Sequence, residues 1–456
     1  MSIVRSAKRL SMVCAMTLAG AAVRGGPIEP PATLPAEAPR QTSQAPVSDP
    51  AQKVESLIAD LSSDSWQVRQ KAQDALSQLG SQVRPRLTQL LQQTNDEEVR
   101  TRVEAILRQV DELRNTGVSL ITLHLKQASP KKIFAEISRQ ADADLQPDPL
   151  NLWDSRTWPA LDVDLDNQPF WLALKQICQK LDVTLHGNGW SRDMVITDRN
   201  VGTRIWGAAP YVVQGPFLLL ASQINGSRAI DLRQPNNVSR ECHLQLLVFV
   251  EPKVRVLQGS FVARIDQALD EKGNSLMAQR LTPDGMQPVV NWYWNLSIPL
   301  SPPANAGQRI AKLKGSARYL IQTRAERAEI SDVLTAKNVT KTVAGRRFLL
   351  REVRRNGDLY TAHLILYRAG WTPAEWSLLY PYNFFKLEDA KGHPLYRVPR
   401  AGGGGGGEQL DITLSFRRQT WQDGEDLGEP AKLVWEVPTE SKTVTVPFEF
   451  NDLPLP

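Results

Sequence analysis

Two stretches forty residues apart repeat one alternation, and that repeat limits the fold more than any other feature of the sequence. Ile121, Leu123 and Leu125 alternate with polar residues, as the buried face of a half-exposed strand does. Pro130 then opens a helix carrying Ile133, Phe134 and Ile137, and a second short strand follows around Ala143 and Leu145. Forty residues on, Leu161, Val163 and Leu165 alternate, Pro169 opens a helix with Ala173, Leu174 and Ile177, and Val183 and Leu185 close the unit. Two strand–helix–strand units with no gap predict one small α+β domain over residues 118–198, its halves related by a pseudo-twofold axis. Ile133, Phe134, Ile137, Leu174 and Ile177 should face inward, and Asp162, Asp164 and Asp166 outward.

The segments on either side have different textures. From Val54 to Leu113 apolar residues recur at helical spacing, and the pattern itself repeats. Val68, Ala72, Leu76 and Leu79 return 31 residues later as Val99, Val103, Leu107 and Val110. Gly80 and Pro85 mark the turn between them, and Asp64 and Asp96 stand where N-caps would serve. From Val201 onward short alternating runs dominate, parted by Gly, Pro, Asn and Asp turns, as in sandwiches and jelly rolls. Arg324–Leu334 is the one stretch there with a helical composition. A long-period duplication also runs through this part. Asp270-Glu271-Lys272-Gly273 with Leu276 returns as Asp389-Ala390-Lys391-Gly392 with Leu395, an offset of 119 residues. Ala311-Lys312-Leu313 returns as Ala431-Lys432-Leu433, an offset of 120. The Asp-x-Lys-Gly elements read as hairpin turns. The six glycines Gly402 to Gly407 read as a disordered tip, because strands rather than a helix flank them.

The expected fold class is therefore multidomain α+β: a small helical repeat pair over 51–114, the duplicated β-α-β domain over 118–198, and two tandem all-β sandwich-like modules over 201–338 and 339–456. Residues 1–22 have the form of a secretory signal, with Arg5, Lys8 and Arg9 before the apolar run Leu10–Leu18 and small residues at Ala19, Gly20 and Ala21. Val13 precedes Cys14 where a lipidation signal needs a small residue, so export without a lipid anchor is expected. Residues 23–50 carry seven prolines among Ala, Gln, Ser and Thr, the composition of an extended tether. No transmembrane segment is expected after cleavage, because no later run approaches the roughly 20 apolar residues a spanning helix needs. The expected address is periplasmic or secreted.

Charge and side-chain inventory exclude some functions. The formal net charge of +5 falls to +2 when Arg5, Lys8 and Arg9 leave with the signal. A nearly neutral chain is a poor match for nucleic-acid binding by phosphate neutralisation. Three cysteines and five histidines, all dispersed, are a poor match for zinc clusters. No metal or cofactor is expected, and Cys178 and Cys242 are expected as two buried thiols.

Several of these textures resemble known families. Asp64-Ser-Trp-Gln-Val-Arg-Gln-Lys-Ala72, with Asp96-Glu-Glu-Val-Arg-Thr-Arg-Val103, resembles HEAT-type repeats. The order of strands and Pro-opened helices over 118–198 resembles the short N-terminal domain of secretins and TonB-dependent receptors, which implies a periplasmic module for protein contact. No secretin pore or receptor barrel follows it here, so the transport function does not carry over. The whole arrangement, with its Asp-x-Lys-Gly turns and the run Val446-Pro-Phe-Glu-Phe450, is similar to planctomycete-type secreted proteins. That resemblance implies an exported envelope protein and supplies no activity.

Candidate chemistry is sparse. Asp162, Asp164 and Asp166 share a strand face and suit either Ca²⁺ or simple solvation. His124 and His186 look outward, while His243, His363 and His393 have no acid or nucleophile at motif spacing, and Gly-x-Ser-x-Gly is absent. Glu251 and Asp270 are placed where glycosidase carboxylates could stand. Trp292 and Trp294 share a strand face, and Trp371, Trp376, Tyr380 and Tyr382 cluster; exposed, such rings would make a sugar platform, and buried, a sandwich core. No catalytic residue is assigned. The reading that fits best is a non-enzymatic scaffold or adaptor of the cell envelope with an envelope or periplasmic protein partner. The alternative is a carbohydrate-binding or carbohydrate-active protein.

Overall fold

The helical spacing of the first segment folds as α1 (Pro50–Asp60), α2 (Trp66–Gln78), a 3-10 turn at Gly80–Val83, α3 (Arg84–Gln93) and α4 (Glu97–Thr116). In the computed structural model the described residues are 50–143, 145–149, 151–187, 194–198, 207–230, 232–233, 238–278, 285–289, 291–372, 375–376, 384–404, 407–418 and 427–456. The expected signal and all but the last residue of the expected tether lie outside them. Asp96 caps α4 as its position predicts, its Oδ1 accepting from the backbone N–H groups of Glu98 and Val99 at 2.9 and 3.1 Å. At α2 the N-cap is Ser65, one residue after Asp64, and no side chain caps it. Leu76, Leu87, Val103 and Ile106 close a small core of their own.

The duplicated segment contains β1 (Leu120–Ala128), α5 (Pro130–Ala141), β2 (Leu145–Pro147), β3 (Leu161–Pro169), α6 (Phe170–Leu181), β4 (Thr184–Gly187) and β5 (Met194–Thr197). Strands β1 and β3 pair antiparallel, and β2-β5-β4 form a second sheet. The forty-residue offset survives in the backbone itself. Leu123 pairs with Leu165, and their counterparts Val163 and Leu125 also pair. Each strand bulges at equivalent places, with Gln127 and Asn167 at φ 46° and 47°, and both helices end on left-handed aspartates, Asp142 and Asp182, at φ 50° and 51°. Side chains brace the bulges equivalently: Asp162 Oδ1 accepts from Gln127 N at 2.8 Å, and Thr122 Oγ1 from Asn167 N at 3.1 Å. The pairing of β1 with β3 thus has a local twofold axis. Ile133, Phe134, Ile137, Leu174 and Ile177 are buried, and Asp162, Asp164 and Asp166 are exposed. The domain does not close its core alone. Trp171 is buried against Phe249 and Trp292, and its Nε1 donates to Pro216 O at 2.9 Å.

The remaining strands are β6 (Tyr211–Gln214), β7 (Phe217–Ile230), β8 (Val238–Val250), β9 (Val256–Ser260), β10 (Arg264–Asp270), β11 (Met286–Pro288), β12 (Tyr293–Leu300), β13 (Arg309–Ser331), β14 (Val339–Val343), β15 (Arg346–Asn356), β16 (Leu359–Tyr367), β17 (Phe385–Asp389), β18 (Tyr396–Gly404), β19 (Gln409–Arg417) and β20 (Pro430–Pro454). The chain is mixed α+β and mostly β, with several sheets. One sheet runs β6-β7-β8-β12 and another β14-β15-β16-β19-β18, so strands reached in the same chain order hold the same places. The third sheet is built on β13 and β20, which pair from Arg309 opposite Pro454 to Ser331 opposite Lys432. The 119–120 offset is visible here too. Leu313 pairs with Phe450; 120 residues later and earlier, Leu433 pairs with Ile330. Strand β10 lies on the first part of β13 as β17 lies on the first part of β20.

The Asp-x-Lys-Gly turns match bond for bond. Asp270 N donates to Asn274 O and Asp389 N to His393 O, each at 3.0 Å, and Gly273 and Gly392 take the positive φ that each turn requires.

Three expectations need correcting. Arg324–Ser331 is strand rather than helix: Ala328 and Ile330 are buried while Glu329 and Ser331 face out, and pairing along β20 outweighs the helix preference of Ala, Glu and Arg. Gly402, Gly403 and Gly404 pair with Thr413, Ile412 and Asp411, because a ladder needs backbone groups and no side chains; Gly405 and Gly406 lie outside the described residues. The expected limits 201–338 and 339–456 do not follow the packing. Val446, Phe448, Phe450 and Leu453 return to the core of the first half, and Ala328 and Ile330 belong to that of the second. No helix among the described residues is long and apolar enough to cross a membrane.

Candidate functional site

The register of the long ladder slips at its midpoint, between Gln322 and Ala325 on β13, opposite Ser441 to Pro438 on β20. Two cavities border this slip. The larger, of about 660 Å³, lies where α4, the end of α5, the link after β8, and β13, β17 and β20 converge. Its cations are matched with carboxylates: Arg84 with Asp111 at 2.8 Å, Arg114 with Asp142 at 2.5 Å, Arg255 with Glu436 at 2.6 Å, and Arg327 with Glu388 at 2.8 Å. Lys386 also reaches Glu436 at 3.5 Å, and Arg324 reaches Glu440 at 3.5 Å. Burial alone would raise the Glu436 carboxyl, but the charges of Arg255 and Lys386 hold it below the usual range. A basic lining so compensated offers little net attraction to a free anion. It acts as cement: Asn115 Nδ2 donates to Thr323 O at 2.9 Å, and Lys442 meets Glu112 at 2.7 Å, fastening α4 to the ladder.

Glu251 sits just behind this cleft with no exposed surface. Both its oxygens accept from the N–H of Ser119 at 3.1 and 3.0 Å, and Lys253 Nζ lies 3.9 Å away. Burial pushes its carboxyl up to about 7 against the opposing pull of Ser119 and Lys253. Burial likewise lowers the Lys253 ammonium.

The second cavity, of about 190 Å³, is walled by Leu257, Leu320, Trp371, Phe384 and Pro438, with Arg346 and Glu375 at its side. Arg346 is 8% exposed, stacks its guanidinium 4.2 Å from the Trp371 ring, and pairs with Glu375. Burial would raise Glu375, but the N–H and hydroxyl of Thr372, both at 2.9 Å, together with Arg346 keep it below the usual range.

No protein-family model, curated protein or solved structure matches this chain.

The residues singled out in the sequence are dispersed among structural tasks. Trp292 and Trp294 are buried at 1% and 7% exposure, so they make core and not a platform. Trp371 and Trp376 are half-buried with rings 6.5 Å apart, and Tyr380 and Tyr382 lie outside the described residues. Glu251 and Asp270 have separate duties, since Asp270 accepts from the side chain and N–H of Asn274 and the N–H of Lys272 within its own turn, and from Gly307 N in the link before β13. For Asp270, burial is outweighed by those bonds, and its carboxyl falls to about 2. His243 is half-buried in β8, His363 lies 3.4 Å from the Thr413 hydroxyl, and His393 lies 3.5 Å from Asp389. His186 is exposed. No disulfide joins Cys178 and Cys242, both buried. Among the described residues no cluster of His, Cys, Asp and Glu is disposed to hold a metal ion.

His124 has partners that its spacing did not reveal. Its Nδ1 lies 2.7 Å from Asp164 and its Nε2 3.3 Å from Asp166, across the twofold pair. The hydrogen bond to Asp164 raises its pKa above 6.5, slight desolvation opposes, and the charges of Asp166 and Asp164 add to the rise. Any stability this gives is full below the ordinary histidine value and is lost as pH rises through the raised one. An NMR titration should place His124 above 6.5, and Asp164→Asn should move it back while leaving the melting temperature nearly unchanged. A titration unaffected by that substitution would refute the pairing.

Proposed function

We propose that this chain is an exported, non-enzymatic scaffold or adaptor of the bacterial cell envelope, acting through contacts with an envelope or periplasmic protein. The observation that supports this reading is the β13–β20 ladder, which threads both β halves and carries α4 at its middle. Strands shared in this way fix the distance and angle between modules, as a scaffold needs, where a linker would leave them variable. In the same reading, 51–114 is a HEAT-like pair, 118–198 a relative of the secretin and TonB-receptor short N-terminal domain, and the β halves are sandwich modules. The contact edge assigned to 118–198 is the two-stranded β1–β3 sheet, to which a partner strand can add by backbone pairing.

The test is a photo-cross-linking amino acid at Leu120, which is 50% exposed at the start of β1, in the native host. A discrete adduct of fixed mass in the envelope fraction is expected. A protein found full-length in the cytoplasm, or labelled in the envelope with no adduct from either β1 or β3, overturns the reading. A carbohydrate-binding alternative is favoured by one observation, the Trp371 indole at the wall of the smaller cavity. Saturable binding of envelope oligosaccharides, abolished by Trp371→Ala, would establish it instead.

A further inference from the structure

We propose that the outer edge of β3, rather than that of β1, takes a strand of a partner protein in which Lys or Arg alternates with apolar residues. This inference rests on the protein-contact reading above and names the edge and the chemistry of what adds to it. Leu120, opposite Pro169 at the end of β3, lies one strand away from that edge.

Strands β1 and β3 pair with each other alone among the described strands, so each has an outer edge. The two edges are not alike. On β1 the edge is sealed at Thr122, where Gln140 Oε1 accepts from Thr122 N at 2.9 Å and Gln140 Nε2 donates to Thr122 O at 2.8 Å. The same amide also donates to Glu136 Oε1 at 2.7 Å, which fixes it there. Its two bonds to the backbone are those a neighbouring strand would make. Forty residues on, the twofold puts Asp162 in the place of Thr122 and Lys180 in the place of Gln140. An ammonium donates but cannot accept, so Lys180 cannot repeat the seal. The Asp162 carboxyl is held below the usual range by hydrogen bonds from Gln127 first, then by the charges of Lys126 and Lys180, which places Lys180 beside β3. Lys180 also lines a hollow of about 440 Å³ on the outer side of α6, with Leu172 and Gln176.

The exposed face sets the charge of the added strand. Asp162, Asp164 and Asp166 stand on it at alternate positions and meet only Lys126 and His124 across the pair. Three carboxylates against one lysine and one histidine leave the face negative whether His124 is charged or neutral. A strand added to β3 lays every second side chain directly beside these aspartates, where cations are favoured and anions repelled. A second copy of the chain pairing β3 on β3 would set aspartate against aspartate, so the row opposes self-association through this edge. The partner's remaining side chains turn to the α6 side, where Leu172 offers apolar surface. A polypeptide is the fitting ligand because a strand edge presents N–H and C=O groups at the spacing of an extended backbone.

The experiment measures hydrogen–deuterium exchange of the mature chain by mass spectrometry, with acetyl-Lys-Val-Lys-Val-Lys-Val-amide as probe. The glutamate analogue acetyl-Glu-Val-Glu-Val-Glu-Val-amide reverses the charge. The lysine peptide methylated on every backbone nitrogen keeps the charge and cannot ladder. Saturable slowing of exchange over 161–169 is expected with the lysine peptide, and either comparison should bind about tenfold more weakly or less. Asp164→Asn together with Asp166→Asn leaves the Asp162–Gln127 brace untouched. That double variant should weaken the lysine peptide about tenfold at an unchanged melting temperature. No slowing over 161–169, slowing over 120–128 in its place, equal binding by the glutamate or methylated peptide, or binding unaltered in the double variant overturns the proposal. Failure here with the cross-link formed in the native host removes only this edge and its charge rule; slowing here without any cross-link there removes the scaffold reading instead.

Discussion

Trp435→Ala should lower unfolding stability by about 3–5 kcal/mol, the range for deleting a fully buried large aromatic side chain. The indole has no exposed surface and lies in β20 between the two sheets of the second β half. Phe385 stacks on it at 5.4 Å with planes 3° apart, Phe348 meets it edge-on at 4.8 Å, and Trp371 tilts against it at 6.2 Å. Alanine would leave these rings facing a void they cannot close, because Phe348 and Phe385 are fixed to β15 and β17 and Trp371 is held in the link after β16 by the stacked Arg346 guanidinium. Trp435 also pairs across the ladder with Ala328, so loosening it frees the stretch of β13 that the first half continues. Urea unfolding followed by circular dichroism is the measurement. Trp435→Phe should keep the stack on Phe385 and lose less than half as much. A loss under about 1 kcal/mol for alanine would mean that the second core is not built around this ring.

The parts of this architecture that are legible in sequence are those written as repeats. A helix pair offset by 31 residues, strand–helix–strand units offset by 40, and turns offset by 119 each reappear in the backbone, down to the paired bulges at Gln127 and Asn167. Repeats are readable because each copy solves the same local problem of periodicity, capping and turn geometry. The ladder is not legible in this way. Its two strands are over a hundred residues apart, and Arg324–Ser331 has a composition that locally favours helix. Only pairing with Glu440 to Lys432, settled by the tertiary fold, makes it a strand.

The candidate site was legible only in fragments. Trp371 stood out as an aromatic, but nothing in the sequence joins it to Arg346, Glu375 or Thr439, which arrive from different elements. His124 and Asp164 are forty residues apart, and the repeat period could have found them: strands paired about a twofold bring each residue opposite one from the other copy. Glu251 was visible as a strand-end acid next to Pro252, yet its partner Ser119 lies 132 residues away. Burial depends on what packs behind a residue, and the helical segment that seals Glu251 precedes it by more than a domain length.

That burial makes Glu251 the second group with a large expected effect. Its carboxyl titrates at about 7 in the native chain against 4.5 when unfolded. Between those values the native state keeps a proton that the unfolded chain has released, so stability should fall as pH rises from about 4.5 to 7 and level off above. At about 1.4 kcal/mol per pH unit the whole interval corresponds to about 3 kcal/mol. The groups facing it are Ser119 from the α4–β1 link, Lys253 from its own link, and, beyond Lys253, Asp142 and Arg114 at the ends of α5 and α4. Lys253 works against the loss, but at 3.9 Å and itself lowered by burial it offsets only part of the cost of a charged Glu251. Glu251→Gln keeps an oxygen for Ser119 N and removes the titration. The variant should match wild type near pH 5, exceed it near pH 8, and lose the slope between, as read from urea midpoints across that range. An unchanged slope in the variant would assign the pH dependence to other groups. A variant less stable than wild type at pH 8 would mean that the charged carboxylate holds the α4–β1 link in place, so that its ion pair with Lys253 outweighs the burial.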